Sequence, residues 1–351
     1  MLPNPARDLL LTFVVSSRND RYEGNPVWRL QTALNFLARN VQEAGRMGQV
    51  EVIVTDWGSR LPLRHVLALN PAAARLTRFL EVPPELAAVL QQDSPFPEVL
   101  ANNAAIRRAR GVYIGRIDQD TLVNREFIEH FFGVIAAPAE GGPNEAAVMF
   151  AGRRSIPIEV ARRCPPFDKV MQYTERFGPY LPPEGKGRKP WFDAPTGIFL
   201  MHRRLWWEAR GYDEQLLYWG FMETELAQRL GTRYPIVNLD LEVRRGFFHL
   251  SHSTLRFSIT HRRKNRRLAR DLREPRDGWG LSEQRLELHP AESGAGFSTP
   301  PGGQQTAPSG WGVDVASWIK EWLWQAGLAL SRLVYNAIPH GRESRRDRTD
   351  R

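Results

Sequence analysis

Cysteine is all but missing: Cys164 is the single one in 351 residues. A disulfide framework within the chain is excluded, and a reducing compartment fits. Lysine is scarce too, so that almost all of the positive charge is arginine. No charge-free apolar run approaches the ~20 residues a bilayer-spanning helix needs. The first apolar run, Leu9 to Val15, has the length of a strand. Met1 to Asp8 before it is polar and contains proline, unlike a secretory signal. The expectation is a cytosolic protein, at most associated with the inner face of the cell membrane. What the chain does have is 42% hydrophobic and 25% charged residues, enough for an ample core. A net charge of +9 and a pI near 10.0 fit an anionic small ligand, an anionic membrane face or nucleic acid, and do not choose among them.

The first half alternates. Leu9–Val15 is continuously apolar, as in a strand buried on both faces of a parallel sheet. A polar loop, Ser16–Asn25, precedes helical spacing over Trp28–Val41, with Leu30, Leu34 and Leu37 on one face. A second apolar strand, Val50–Val54, ends in Thr55-Asp56-Trp57-Gly58-Ser59. A helix over Phe96–Arg110 leads to a strand over Val112–Ile117. This β-α-β-α-β order predicts an α/β domain with a mainly parallel, Rossmann-like sheet. Ligands of such sheets bind beyond the carboxyl ends of the strands, which points to Ser16–Asp20, Asp56 and Asp118–Asp120. Gly141–Lys189, rich in Pro, Gly and Arg, reads as long loops, and Pro235–Leu250 as further strand. No internal repeat is present.

Three stretches carry chemistry. Asp118-Gln119-Asp120 follows a strand, and two carboxylates with diphosphate oxygens suit Mg2+ or Mn2+. The same residues also fit an ordinary acidic loop, with Asn124 capping a helix over Arg125–Ala136. In Trp219-Gly220-Phe221-Met222-Glu223-Thr224-Glu225, Glu223 shares a helical face with Leu226, Ala227 and Leu230. A half-buried carboxylate there suits a general base, or merely complements the helix dipole. Glu225 faces away and can pair with Arg229. In Phe247-Phe248-His249-Leu250-Ser251-His252, either histidine can ligate a metal. Three-residue spacing along a strand puts them on opposite faces, so one is expected to serve.

Together these stretches resemble the family-2-like glycosyltransferases of the GT-A fold, with a galactosyltransferase-type C-terminal segment, over roughly residues 9–255. Phe13-Val14-Val15-Ser16-Ser17-Arg18-Asn19 is similar to the first strand and its uridine-contacting loop, and Val50–Ser59 to the second strand. Asn103–Gly111 running into Asp118-Gln119-Asp120 is similar to the helix and metal motif. Thr196–Phe199, Gly211–Glu214 and Trp219-Gly220 are similar to the acceptor side. The resemblance implies a metal-dependent, inverting transfer of a sugar from a nucleotide-sugar, UDP being favoured, to a saccharide or glycolipid acceptor in polysaccharide or glycoconjugate synthesis. It implies Ser16, Arg18, Asn19, Asp56, Asn103 and Asp118 around the nucleotide-sugar. Asp120 and His252 become metal ligands, with His249 the alternative and Asp118 on metal or ribose. Glu223 becomes the base, and Trp219 and Gly220 lie toward the acceptor. Family members usually carry a run of acidic residues after Trp-Gly. Met222 and Thr224 break it here, leaving Glu223 as the base and room for altered specificity or lost activity.

The catalytic domain is expected over 1–275, with a donor half to about 125 and an acceptor half from 126, then a flexible linker over 276–310. Val313–Ile338 shows an apolar stripe with several tryptophans: a helix over 311–338 lying in a membrane interface, or packed back on the domain. Residues 339–351 form a charged tail. Two other function classes stay open: a GT-A-like protein that binds donor or scaffolds without turnover, and a nucleic-acid binder using His261-Arg262-Arg263-Lys264-Asn265-Arg266-Arg267. A nucleotidyltransferase fits the Trp-Gly-x-x-Glu segment less well.

Overall fold

The structure is a computed structural model, and it describes residues 9–20, 25–137, 143–184, 196–252, 265 and 277–292. All of them belong to the first of two compact units, Met1–Gly303. The helix read over 311–338 with its membrane contact, the tail over 339–351 and most of the basic run at 261–267 lie outside the described residues. No described helix is long and apolar enough to cross a membrane.

The first half runs β1 (Leu11–Ser17), α1 (Pro26–Glu43), β2 (Val50–Trp57), α2 (Leu63–Val66), α3 (Pro71–Leu76), β3 (Thr77–Val82), α4 (Pro84–Gln91), α5 (Glu98–Arg108), β4 (Tyr113–Arg116) and β5 (Thr121–Val123). The second half begins with α6 (Arg125–His130), which continues in a π-helical turn, Phe131–Ile135, and then β6 (Val148–Gly152) and β7 (Arg154–Ile156). It goes on through α7 (Ile158–Arg162), α8 (Phe167–Phe177), β8 (Thr196–His202), α9 (Arg203–Ala209), α10 (Met222–Gly231), β9 (Ile236–Asn238), β10 (Phe247–Leu250) and β11 (Leu288–Pro290). An eight-stranded sheet has the order β11-β3-β2-β1-β4-β8-β6-β9, and a small sheet the order β5-β10-β7. β1 is parallel to β2 and β4, and β2 to β3, whereas β8 and β11 run antiparallel to their neighbours. The fold is therefore mixed α/β with a mainly parallel central sheet.

The apolar run of β1 is explained by burial on both faces. Phe13 and Val15 pack with Leu30, Leu34 and Leu37 of α1, and Val14 with Ala101, Ala104 and Ala105 of α5. Each such large side chain contributes about 1.5–3 kcal/mol when removed from water. Helix α1 starts where Asn25 accepts the amide of Trp28 and Pro26 occupies the first turn, which needs no donor there.

Two stretches depart from expectation. Residues 141–189, read as long loops, contain β6, β7, α7 and α8. Their strands are short and carry arginines, but α8 buries Val170, Met171 and Thr174 on one face against the small sheet. The start of the expected linker is tied down. β11 pairs with β3, and Arg108 donates to the carbonyls of Gly280 at 2.9 Å, Leu281 at 3.0 Å and Gln284 at 3.1 Å. Buried Trp279 adds an apolar anchor that outweighs the local glycine content.

Candidate metal centre and nucleotide groove

After β4 the chain bends. The amide of Ile117 still bonds Val14, and that of Thr121 closes a turn onto the carbonyl of Asp118. Residues 118–120 thus sit where the main sheet gives way to the small one, beyond the carboxyl ends of β1 and β4. β5 pairs with β10, placing Thr121 opposite His249, and the amide of Leu250 bonds the carbonyl of Asp120 at 3.1 Å. Asp120 is 2% exposed. Its Oδ1 lies 3.4 Å from His249 Nε2, and its Oδ2 lies 3.4 Å from His252 Nε2.

Both histidines converge, against the expectation that one would serve. The strand ends at Leu250, and buried Arg29 of α1 donates to the carbonyls of Leu250 and Ser251. Past the strand end the alternation of faces no longer applies, and the His252 ring lies 5.0 Å from that of His249. The donor atoms of Asp120, His249 and His252 all lie within 4.8 Å of one another. His249 Nε2 is buried and makes no hydrogen bond, while its Nδ1–H donates to Glu184 Oε1 at 2.5 Å. One carboxylate and two imidazoles whose donor atoms converge fit a divalent metal. Burial would raise the Asp120 carboxyl, but His249, His252 and Arg153 hold it well below the usual range. Burial and Arg153 push His249 down, yet Glu184 and Asp120 lift it to about 9. His252 is pushed down to about 4, chiefly by burial.

Asp118 is not part of that trio. It is held between Arg116 and Arg153. Arg116 also pairs with Glu98 and, through Nη1 at 3.2 Å, with Glu223 Oε1. Burial raises Glu223 above the ordinary carboxylate range, with Arg116 opposing. The same conflict leaves Glu98 at about 7. Glu223 stands in the first turn of α10 beside buried Met222, Leu226, Ala227 and Leu230. Glu225 is tied to Arg229 at 2.7 Å and serves structure. Five carboxylates (Glu98, Asp118, Asp120, Glu184, Glu223) face three guanidiniums (Arg29, Arg116, Arg153) in this region.

The loop after β1 meets the loop after β2. The backbone amide of Asn19 bonds Ser59 Oγ at 2.8 Å, and Asn19 Nδ2 bonds the carbonyl of Leu61 at 3.0 Å. Ser17 donates to Gln119 at 2.6 Å. Ser16 is half-buried at the end of β1, opposite Thr55. Arg18 is tied to Asp20, Gln91 and the carbonyl of Pro95. Asp56 accepts from Ser59 and from the amide of Leu63 at 2.7 Å, and burial lifts its carboxyl to about 6. Asp56 and Ser59 line an open groove with Arg60, Pro62, Glu81 and Pro83.

Asn103 does not reach this groove. It is fully buried, donating to the carbonyl of Tyr212 at 2.9 Å and to Glu214 at 3.1 Å, and accepting the amide of Tyr212 at 2.8 Å. In the structure it fastens α5 to the turn at Gly211, whose φ of +71° suits glycine. Trp219 is 41% exposed. Gly220 has φ +88°, and its carbonyl accepts from buried Asn265 at 2.8 Å. Sequence reasoning missed Asn265, Glu184, Arg29, Arg116 and Arg153. Asn265 lay hidden inside a basic run, and the others have no local signal.

No protein-family model matches the chain, and no curated protein matches it. Among solved structures it is similar to S. aureus TarS residues 1–349, with 11% identity, a TM-score of 0.41, and coverage of 68% of this chain and 60% of that one. The same protein in complex with UDP matches equally. The catalytic domain of Drosophila β1,4-galactosyltransferase 7, in complex with xylobiose, is similar at 13% identity and a TM-score of 0.39, covering 77% of this chain and 82% of that one. The chain thus spans about 60% of the TarS fragment it matches.

Proposed function

We propose that this protein is a metal-dependent glycosyltransferase that moves a sugar, with inversion, from a UDP-sugar to a hydroxyl of a saccharide or glycolipid acceptor. The observation that carries the reading is the convergence of Asp120, His249 and His252 beyond the carboxyl end of β4, a strand of the same sheet as β2, which carries Asp56 near its own carboxyl end. A divalent metal held there would neutralise charge on a leaving diphosphate. Asp56 offers a carboxylate to a nucleotide base, and the turns at Asn19 and Ser59 shape the groove around it. Glu223, oriented by Arg116, takes the proton of the acceptor hydroxyl. Trp219, partly exposed four residues before it, supplies an apolar wall for a sugar ring.

Calorimetry of UDP with and without Mn2+, on the wild type and on Asp120→Ala, tests the donor site. The reading expects metal-dependent binding that the variant loses. No binding to the wild type under either condition refutes it. Given a competent donor and acceptor, Glu223→Gln should lose transfer by about 100-fold or more while keeping UDP affinity. Full activity in that variant removes Glu223 from the role of base. UDP binding without turnover of any UDP-sugar would favour a donor-binding, non-catalytic protein.

A further inference from the structure

Glu184 is a largely buried carboxylate in contact with the metal trio that the proposed transfer leaves unused. Its backbone lies along β7: the amide of Ser155 bonds the carbonyl of Pro182 at 3.0 Å, and the amide of Glu184 bonds that of Arg153 at 2.9 Å. Its Oε1 accepts from His249 Nδ1 and from Ser155 Oγ, each at 2.5 Å, and its Oε2 accepts from Arg153 Nε at 2.8 Å. Arg153 can only donate, so Glu184 meets it as an acceptor, and a carboxylate is the natural acceptor for an imidazole N–H as well. An acceptor at Nδ1 requires the ring hydrogen there. That leaves Nε2 as the ring nitrogen directed toward the gap shared with Asp120, 3.4 Å away.

We infer that Glu184 is a positioning residue of the metal centre, holding His249 in the tautomer and ring orientation in which Nε2 can ligate together with Asp120 and His252. The inference rests on the metal reading above. The competing role is a purely structural ion pair, in which Glu184 neutralises Arg153 and His249 without bearing on metal affinity. Geometry favours positioning. Arg153 binds Oε2, whereas Oε1, supported by Ser155, is given to the imidazole.

The test is calorimetric titration of the full chain with MnCl2 alone, paired with thermal melting in chelator. The proteins are wild type, Glu184→Met, Glu184→Gln, Ser155→Ala and Asp120→Ala. Glu184→Met should bind Mn2+ about 10–100-fold more weakly, the usual loss when the partner of a ligating histidine is removed. Glu184→Gln, which still accepts from Nδ1–H, should lose less, and Ser155→Ala least. Substituted Co2+ should show a changed visible spectrum in Glu184→Gln, a readout that stands even if Glu184→Met fails to fold. If Glu184→Met and Glu184→Gln lower the melting temperature but bind Mn2+ like wild type, while Asp120→Ala does not bind, Glu184 is structural and the inference falls alone. If Asp120→Ala binds Mn2+ as wild type does, the metal reading and the inference fall together.

Discussion

Asn103→Ala separates two accounts of one residue. By resemblance Asn103 belongs to the nucleotide-sugar; in the structure it belongs to the packing between α5 and the turn over 211–214. The side chain makes three hydrogen bonds to that turn, two of them to the backbone N–H and C=O of Tyr212. Alanine leaves both backbone groups buried and unpaired, at about 1–3 kcal/mol each. It also frees Glu214 Oε1, which otherwise accepts from Asn103 and from the amide of Gly280 at 2.7 Å. The expected loss is about 3–5 kcal/mol, a large part of the roughly 5–15 kcal/mol that holds a domain together. Urea unfolding at neutral pH reads the loss, and UDP calorimetry on the folded variant reads the site. Affinity per folded molecule should be unchanged. A loss below about 1 kcal/mol, or a fall in UDP affinity with stability intact, would refute the structural account and restore the one the resemblance implies.

Two further outcomes follow from the same geometry. With two imidazoles among three donors, the centre should bind Mn2+ at least about 10-fold more tightly than Mg2+, whose preference is for oxygen; equal affinities by calorimetry would count against His249 and His252 as ligands. Burial raises Asp56 to about 6, above its unfolded value, so its contribution to stability is complete below about pH 4 and is lost as pH rises through 6. Relative to Asp56→Asn, wild-type unfolding free energy should therefore fall by up to about 3 kcal/mol across that window, and parallel curves for the two proteins would show that the carboxyl is not perturbed.

The parts of the fold legible in the sequence are those that local patterning determines. β1 and β2 are apolar on both faces because helices cover both, and α1 shows its stripe and its cap. β3 was not legible: Arg78 and Glu81 interrupt a strand of only six residues, and one of its neighbours, β11, comes from far along the chain. The helical face of α8, by contrast, was present in the spacing of Val170, Met171 and Thr174, but proline and glycine nearby masked it.

The site shows the same division more sharply. Asp120 was legible because a carboxylate pair after a strand has a local meaning, and Glu223 because a carboxylate at the edge of an apolar helical face has one. The pairing of His249 with His252 was not, since alternation along a strand forbids it. Alternation stops with the strand at Leu250, and Arg29, more than two hundred residues earlier, holds the two carbonyls that precede His252. The carboxylates around Arg116 and Arg153 are assembled in the same non-local way, from α5, the loop after β4, the segment after α8 and α10. Motif residues thus define which chemistry is available, and buried arginines without any motif decide which of those residues meet. It follows that removing Arg29 should damage metal binding as surely as removing a ligand, although nothing in its own surroundings along the chain marks it as part of the site.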